Sequence, residues 1–166
     1  MAVTIDGSGE INGVILPTTG FGKVLQVVRA TDTTQRIITS TSFVDVTGMS
    51  VTITPQKSDS TIILISVFTY DIATSSGANQ YGRLQITDSI DNPISGAESN
   101  LLGLNNITYV NTGSSYGVVN QIAYDSPATT SAITYKLKVK SQTTGTTFFI
   151  LNSLNTGQMY AIEVSA

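Results

Sequence analysis

The chain has 166 residues, only 11% of them charged, with a formal net charge of −3 and no His, Cys or Trp. Soluble domains usually carry about 25% charged residues. The missing side chains remove Ser-His-Asp and Cys-His nucleophilic catalysis, His-bound or thiolate-bound metals, disulfides and thiol redox chemistry, and the acidic balance speaks against a nucleic-acid footprint.

Over a quarter of the residues are Ser or Thr, and about a third are β-branched Thr, Val or Ile. Such side chains suit a pleated surface, and hydroxyls and amides here carry the solubility that charges usually supply. The length suits one domain.

Residues 1–22 hold five Gly and one Pro around two short apolar pieces, residues 3–5 and 14–16. This reads as an extended N-terminal arm with turns at Asp6-Gly7 and residues 17–22. Val3, Ile5, Val14, Ile15 and Leu16 need a surface to pack on. That surface is either their own domain or, as candidate docking residues, a neighbouring subunit or larger assembly. No Lys or Arg precedes Lys23, so no basic signal-peptide region is legible, and no apolar run exceeds four residues, which excludes a membrane span of about 20.

From residue 23 to 166 the pattern is a single β-sandwich domain. Residues 23–30 place Val24 and Val28 on one side and Leu25 and Val27 on the other, which suggests cover on both faces. Residues 35–39 form a short strand, and residues 43–54 read as two strand pieces broken at Thr47-Gly48. The run TIILISVFTY, residues 61–70, has the signature of a central strand buried on both faces. A flexible loop over 73–80 precedes the alternating strand 81–88, with Leu84 and Ile86 opposed to Arg83, Gln85 and Thr87. Residues 88–96 turn around Asn92-Pro93. The polar stretch 99–116 leads into a strand over 118–124, and residues 125–131 turn again. In residues 132–140, Ile133, Tyr135, Leu137 and Val139 face one way and Thr134, Lys136, Lys138 and Lys140 the other. Residues 147–151 and 159–164 close the domain, the last with Tyr160, Ile162 and Val164 on one side. No stretch keeps a 3.6-residue period over three turns. The expected fold is therefore all-β, an antiparallel β-sandwich of jelly-roll or Greek-key type.

The chemistry that survives without His or Cys is thin. A glycosidase pair needs two carboxylates across a cleft, and most Asp residues here fall in turns, where they cap local backbone. The segment around Gly22-Lys23 lacks the first Gly of a phosphate loop, that position being Pro17, and has Val24 where a Mg²⁺-binding hydroxyl is required. Residues 88–92 lack the spacing of a calcium loop. The sequon Asn106-Ile107-Thr108 has meaning only in a eukaryotic secretory setting. No cofactor and no catalytic residue is expected. The Lys136, Lys138 and Lys140 stripe reads as a solvated face or a guarded edge, or else as a contact for an acidic partner surface.

The stretch 99–116 is more suggestive. Residues 99–124 carry no charge, as do residues 141–162. Leu101, Leu102, Leu104, Asn105, Asn106, Tyr109 and Tyr116 combine apolar, amide and aromatic groups of the kind found in interface cores and recognition loops. They are candidates for a subunit interface, for ordinary packing within the domain, or for receptor or glycan contact.

Two segments, GKVLQVVRAT…STSFVDVTGMSVTITPQKSDSTIILISVF (22–68) and YDSPATTSAITYKLKVKSQTTGTTFFI (124–150), resemble a group of tailed-bacteriophage virion proteins found in cyanophages and other marine phages. The resemblance implies a non-enzymatic structural role on the virion surface, as a tail-fibre or appendage tip or as a capsid decoration, following assembly in the host cytoplasm. It carries over no catalytic residue. The layout is also similar to trimeric jelly rolls of the tumour-necrosis-factor type, a fold-level analogy that implies a homotrimer. Expected partners are further copies of the chain, other virion proteins of capsid or tail, and a host surface glycan, with no nucleic acid and no membrane. The competing reading is a free carbohydrate-binding or hydrolytic β-sandwich module, against which the absence of Trp weighs.

Overall fold

A computed structural model describes residues 4–5, 11–12, 22–74, 82–94, 113–141 and 144–166. All regular structure among them is β. Two short strands, β1 (Thr4–Ile5) and β2 (Ile11–Asn12), pair antiparallel with each other. Nine more follow: β3 (Val24–Asp32), β4 (Gln35–Ile38), β5 (Val44–Ile53), β6 (Thr61–Thr74), β7 (Gly82–Thr87), β8 (Gly113–Asp125), β9 (Ile133–Ser141), β10 (Thr146–Leu151) and β11 (Gly157–Val164).

These nine strands make two antiparallel sheets. The larger is built around β6. Along one edge β6 pairs with β8 over thirteen register positions, from Ile62↔Asp125 to Thr74↔Gly113. Along the other edge it pairs with β11 over residues 61–67 and with β10 over residues 70–74. Strand β11 pairs in turn with β3, and β10 with β4. Thus β10–β11 and β3–β4 are two long strands, each interrupted at the same height, and only β6 and β8 run through unbroken. The smaller sheet has the order β5-β9-β7.

The core lies between the sheets. Alternation along β6 turns Ile62, Leu64, Phe68, Tyr70 and Ile72 inward, and β10 and β11 add Phe148, Ile150, Met159 and Ala161. The small sheet answers with Met49, Val51 and Ile53 from β5, Leu84 and Ile86 from β7, and Tyr135, Leu137 and Val139 from β9. Fully burying an aliphatic or aromatic side chain of this kind contributes about 1.5–3 kcal/mol.

Two buried carboxylates fix the irregular places. Asp32 ends β3 where the long strand breaks. It accepts hydrogen bonds from both terminal nitrogens of Arg36, from Asn152 Nδ2 at 2.6 Å, and from the Thr34 backbone N–H at 3.3 Å. Arg36 also donates to the Thr47 carbonyl, which ties the β3–β4 break to the bulge in β5. That bulge, between Asp45 and Ser50 in the pairing with β9, contains Gly48 at φ +92°. Glu163, fully buried on β11, accepts from Gln26 Nε2 at 2.6 Å and from the backbone N–H groups of Gln56 and Lys57 at 2.8 and 3.2 Å. Burial would raise both carboxyl pKa values, but the bonds from Arg36 and Asn152 to Asp32, and from Gln26 and the turn backbone to Glu163, hold both below the ordinary range.

The expected elements from residue 23 onward correspond to β3–β11, with these differences. Strand β3 is not covered on both faces: it is an edge strand whose Val24 and Val27 are exposed. Strand β6 is central but buried on one face only: Ile63, Ile65 and Val67 on its other face are half-buried. The edge β8 begins at Gly113, so the last four residues of the stretch read as a polar lead-in are strand. The Lys-bearing strand β9 is the middle of its sheet, not a guarded edge.

Candidate interaction surfaces

A cleft of about 370 Å³ opens beside the β7 and β8 ends, lined by Asp88, Asn92, Pro93, Ile94, Asp125, Pro127, Thr129 and Ile133. Its two carboxylates serve local structure. Asp88 accepts from the backbone N–H groups of Ile90 and Asn92, each at 2.9 Å, and from Asn92 Nδ2, closing the turn after β7. Burial opposes ionisation of Asp88, but these bonds from Asn92 and Ile90 prevail and lower its pKa. Asp125 accepts from the Tyr135 hydroxyl at 2.7 Å. Burial, that hydrogen bond and the nearby negative charge push the Tyr135 pKa up, so the phenol remains a proton donor. The bond links the end of β8 to the beginning of β9 and so joins the two sheets.

The outer face of the small sheet is polar and paired. Lys138 lies 2.7 Å from Asp91 and 3.2 Å from Asp45, and Lys136 contacts Asp91 and lies 3.6 Å from Asp45. Lys140 sits over the Phe43 ring at 4.9 Å. The Asp91 pKa is lowered by its bonds to Lys136 and Lys138, and that of Lys136 is raised by its bond to Asp91. For Lys138 partial burial favours the neutral amine, and the two carboxylates outweigh it. The expected solvated stripe is instead an ion-pair cluster, in which β9 lysines meet partners from β5 and from the turn after β7.

The outer face of the large sheet is of the opposite character. Cross-strand register sets its side chains in rows running β8, β6, β11, β3: Tyr124–Ile63–Ile162–Val27, then Ile122–Ile65–Tyr160–Arg29, then Asn120–Val67–Gln158–Thr31. Farther along, Val118 neighbours Thr69, and Tyr116–Asp71–Phe149–Ile37 forms another row through β10 and β4. Val27 and Ile122 are each 56% exposed, Tyr124 60% and Val118 68%. Arg29 and Asp71 are the two charged members of these rows, and Arg29 lies over the Tyr160 ring at 5.9 Å. A groove of about 280 Å³ between Val67, Thr69, Val118 and the 155–158 segment indents this face.

Among the candidate interface residues, Tyr116 is on β8, 69% exposed on this outer face. Leu101, Leu102, Leu104, Asn105, Asn106 and Tyr109 lie outside the described residues, as do Val3, Val14, Ile15 and Leu16 of the arm. Ile5 pairs with Ile11 through the β1–β2 backbone. Sequence reading did not single out Val27, Ile63, Ile65, Val118, Ile122 or Tyr124 as surface. The available signal was apolar character on both faces of neighbouring strands.

No protein-family model matches the chain, and no curated protein sequence matches it either. Solved structures that it matches include the structure of infectious bursal disease virus Gx strain, at 11% identity and TM-score 0.38, and the infectious bursal disease virus VP2 subviral particle, at 15% identity and TM-score 0.30. The matches cover 86% and 85% of this chain but 33% and 38% of those chains, so the chain spans little more than a third of the structures' length. The fold described above rests on the chain's own strand pairing: an all-β, jelly-roll-like antiparallel sandwich.

Proposed function

We propose that this chain is a non-enzymatic structural protein of a virion surface, of the tailed-bacteriophage kind. In this reading it assembles as a homotrimer and attaches through residues 1–22, as a small tail appendage or a capsid decoration. The observation that carries the reading is where the resembling segments fall. Residues 22–68 contain β3, β4, β5 and the first half of β6, and residues 124–150 contain β9 and most of β10, so the likeness runs through both sheets. The side chains support an adhesive role. The carboxylates of the cleft beside the β7 and β8 ends are engaged by a turn and a tyrosine, while a wide sheet face offers apolar rows to a neighbour.

Counting peptides of this chain against the major shell subunit in purified particles tests the proposal. A copy number comparable to the shell subunit indicates capsid decoration, and a small multiple of three indicates a tail appendage. Absence from purified particles overturns the reading.

A further inference from the structure

We propose that copies of this chain meet through the outer face of the large sheet, burying the rows Tyr124–Ile63–Ile162–Val27 and Ile122–Ile65–Tyr160–Arg29. The inference deepens the structural reading above by assigning the self-association surface, and it rests on that reading only for its biological setting.

The first argument is patterning. A strand with one face in water alternates apolar and polar residues, whereas a strand covered on both faces is apolar throughout. β6 reads Thr-Ile-Ile-Leu-Ile-Ser-Val-Phe from Thr61, and its inward residues are buried by the small sheet while Ile63, Ile65 and Val67 remain half-exposed. β11 and β8 repeat this with Tyr160 and Ile162, and with Ile122 and Tyr124. Over residues 62–65 of β6, 159–162 of β11 and 122–124 of β8, three adjacent strands thus are apolar on both faces and, within one chain, have cover on one side.

The second argument is size. With β10 and β4 continuing the lines of β11 and β3, four strand widths of about 4.8 Å and the thirteen residues of β8 at about 3.3 Å each give the whole outer face roughly 800 Å². A stable interface buries about 800 Å² on each partner, so the face as a whole, its polar rows included, is large enough for one.

The third argument selects the occupant. The two rows carry one charge, Arg29, which lies over the Tyr160 ring, and Asp71 farther along is buried, so a strongly charged partner would find no complement on this face. The row Asn120–Val67–Gln158–Thr31 between apolar rows supplies amide and hydroxyl groups able to hydrogen-bond to their counterparts in another copy. The charges of the molecule's other broad face, Lys136, Lys138, Asp45 and Asp91, are paired with one another.

The test uses the full chain at micromolar concentration in sedimentation velocity. The wild type is expected to sediment as an oligomer. Ile122→Glu and Val27→Glu should convert it to monomer with an unchanged β circular-dichroism signature. Ile90→Glu, an equally drastic change at a 76% exposed site in the turn after β7, should leave the oligomer intact. A monomeric wild type, an oligomer that survives both face variants, or dissociation by Ile90→Glu to the same extent overturns the proposal. Should the glutamate variants not fold, the cysteine-free chain offers a milder probe. A thiol from Asn120→Cys should react with maleimide at least about tenfold more slowly than one from Ser89→Cys, because association keeps it covered. Equal rates overturn the proposal. Failure here leaves the virion reading standing if the chain is found in particles. An oligomer through this face that is absent from particles overturns the virion reading alone.

Discussion

At the scale of single residues, the fold depends on a few polar groups placed where strands break. Asp32 gathers Arg36, Asn152 and Thr34 at the level where β3 gives way to β4 and β10 to β11. Gly48 lies against it: a Cβ there would sit 2.7 Å from Asp32 Oδ1, on backbone at φ +92°. Gly48→Ala should therefore cost about 1–3 kcal/mol, read as a drop in Tm of roughly 2–4 °C per kcal/mol. Gly145, at φ +87° with open space around it, provides the comparison. Gly145→Ala should cost less, and the difference measures the contact with Asp32. Titration has a defined sign. With no His, stability should be flat from about pH 6 to pH 8. Asp32 and Glu163 have folded-state pKa values below their unfolded ones. Their contribution is present above the unfolded carboxylate range of about 4 and is lost as pH falls through the folded values. Urea midpoints measured against pH should show this acid limb, and Glu163→Gln should flatten it.

At the scale of elements, β9 shows how packing assigns meaning to a pattern. Its Tyr135, Leu137 and Val139 side was legible from alternation and is fully buried. Its hydroxyl tie to Asp125 was not, because Tyr135 meets the end of a strand in the other sheet. Tyr135→Phe should cost about 0.5–1.5 kcal/mol, the usual net value of one hydrogen bond, and a change below the error of a denaturant titration would mean that the tie contributes nothing. Strand existence from residue 23 onward was legible because strands such as β7, β9 and β11 carry their own period-2 signal and β6 a continuous apolar run. What covers a face was not, since that depends on strands far away in sequence. β6 was therefore read as covered on both sides although one chain covers one. The same limit applies to residues 113–117, Gly-Ser-Ser-Tyr-Gly, which read locally as loop. They are strand because thirteen consecutive positions of β8 find partners along β6. The lysines of β9 were read as solvated because their partners, Asp45 and Asp91, come from other elements.

At the scale of the whole molecule, every sheet in the sandwich is closed by chain segments that are distant in sequence. Val24 pairs with Val164, and β5 with β9. Such non-local topology places refolding in the millisecond-to-second range rather than microseconds, which stopped-flow fluorescence of the seven Tyr residues can measure. The pairing of β3 with β11 also gives the domain a direction. The Ser165 N–H donates to the Lys23 carbonyl at 2.9 Å, and Thr61 is register partner to Val164, so both ends of the domain lie at the foot of the large sheet. At its other extreme Thr74 is partner to both Gly113 and Thr146, and Gly82 to Ser141, whose hydroxyl donates to the Thr146 carbonyl. The fourteen residues of β6 separate foot from crown by roughly 45 Å. A domain moored by the segment preceding Gly22 would stand on its foot like a post, holding its crown at the greatest reach its length allows.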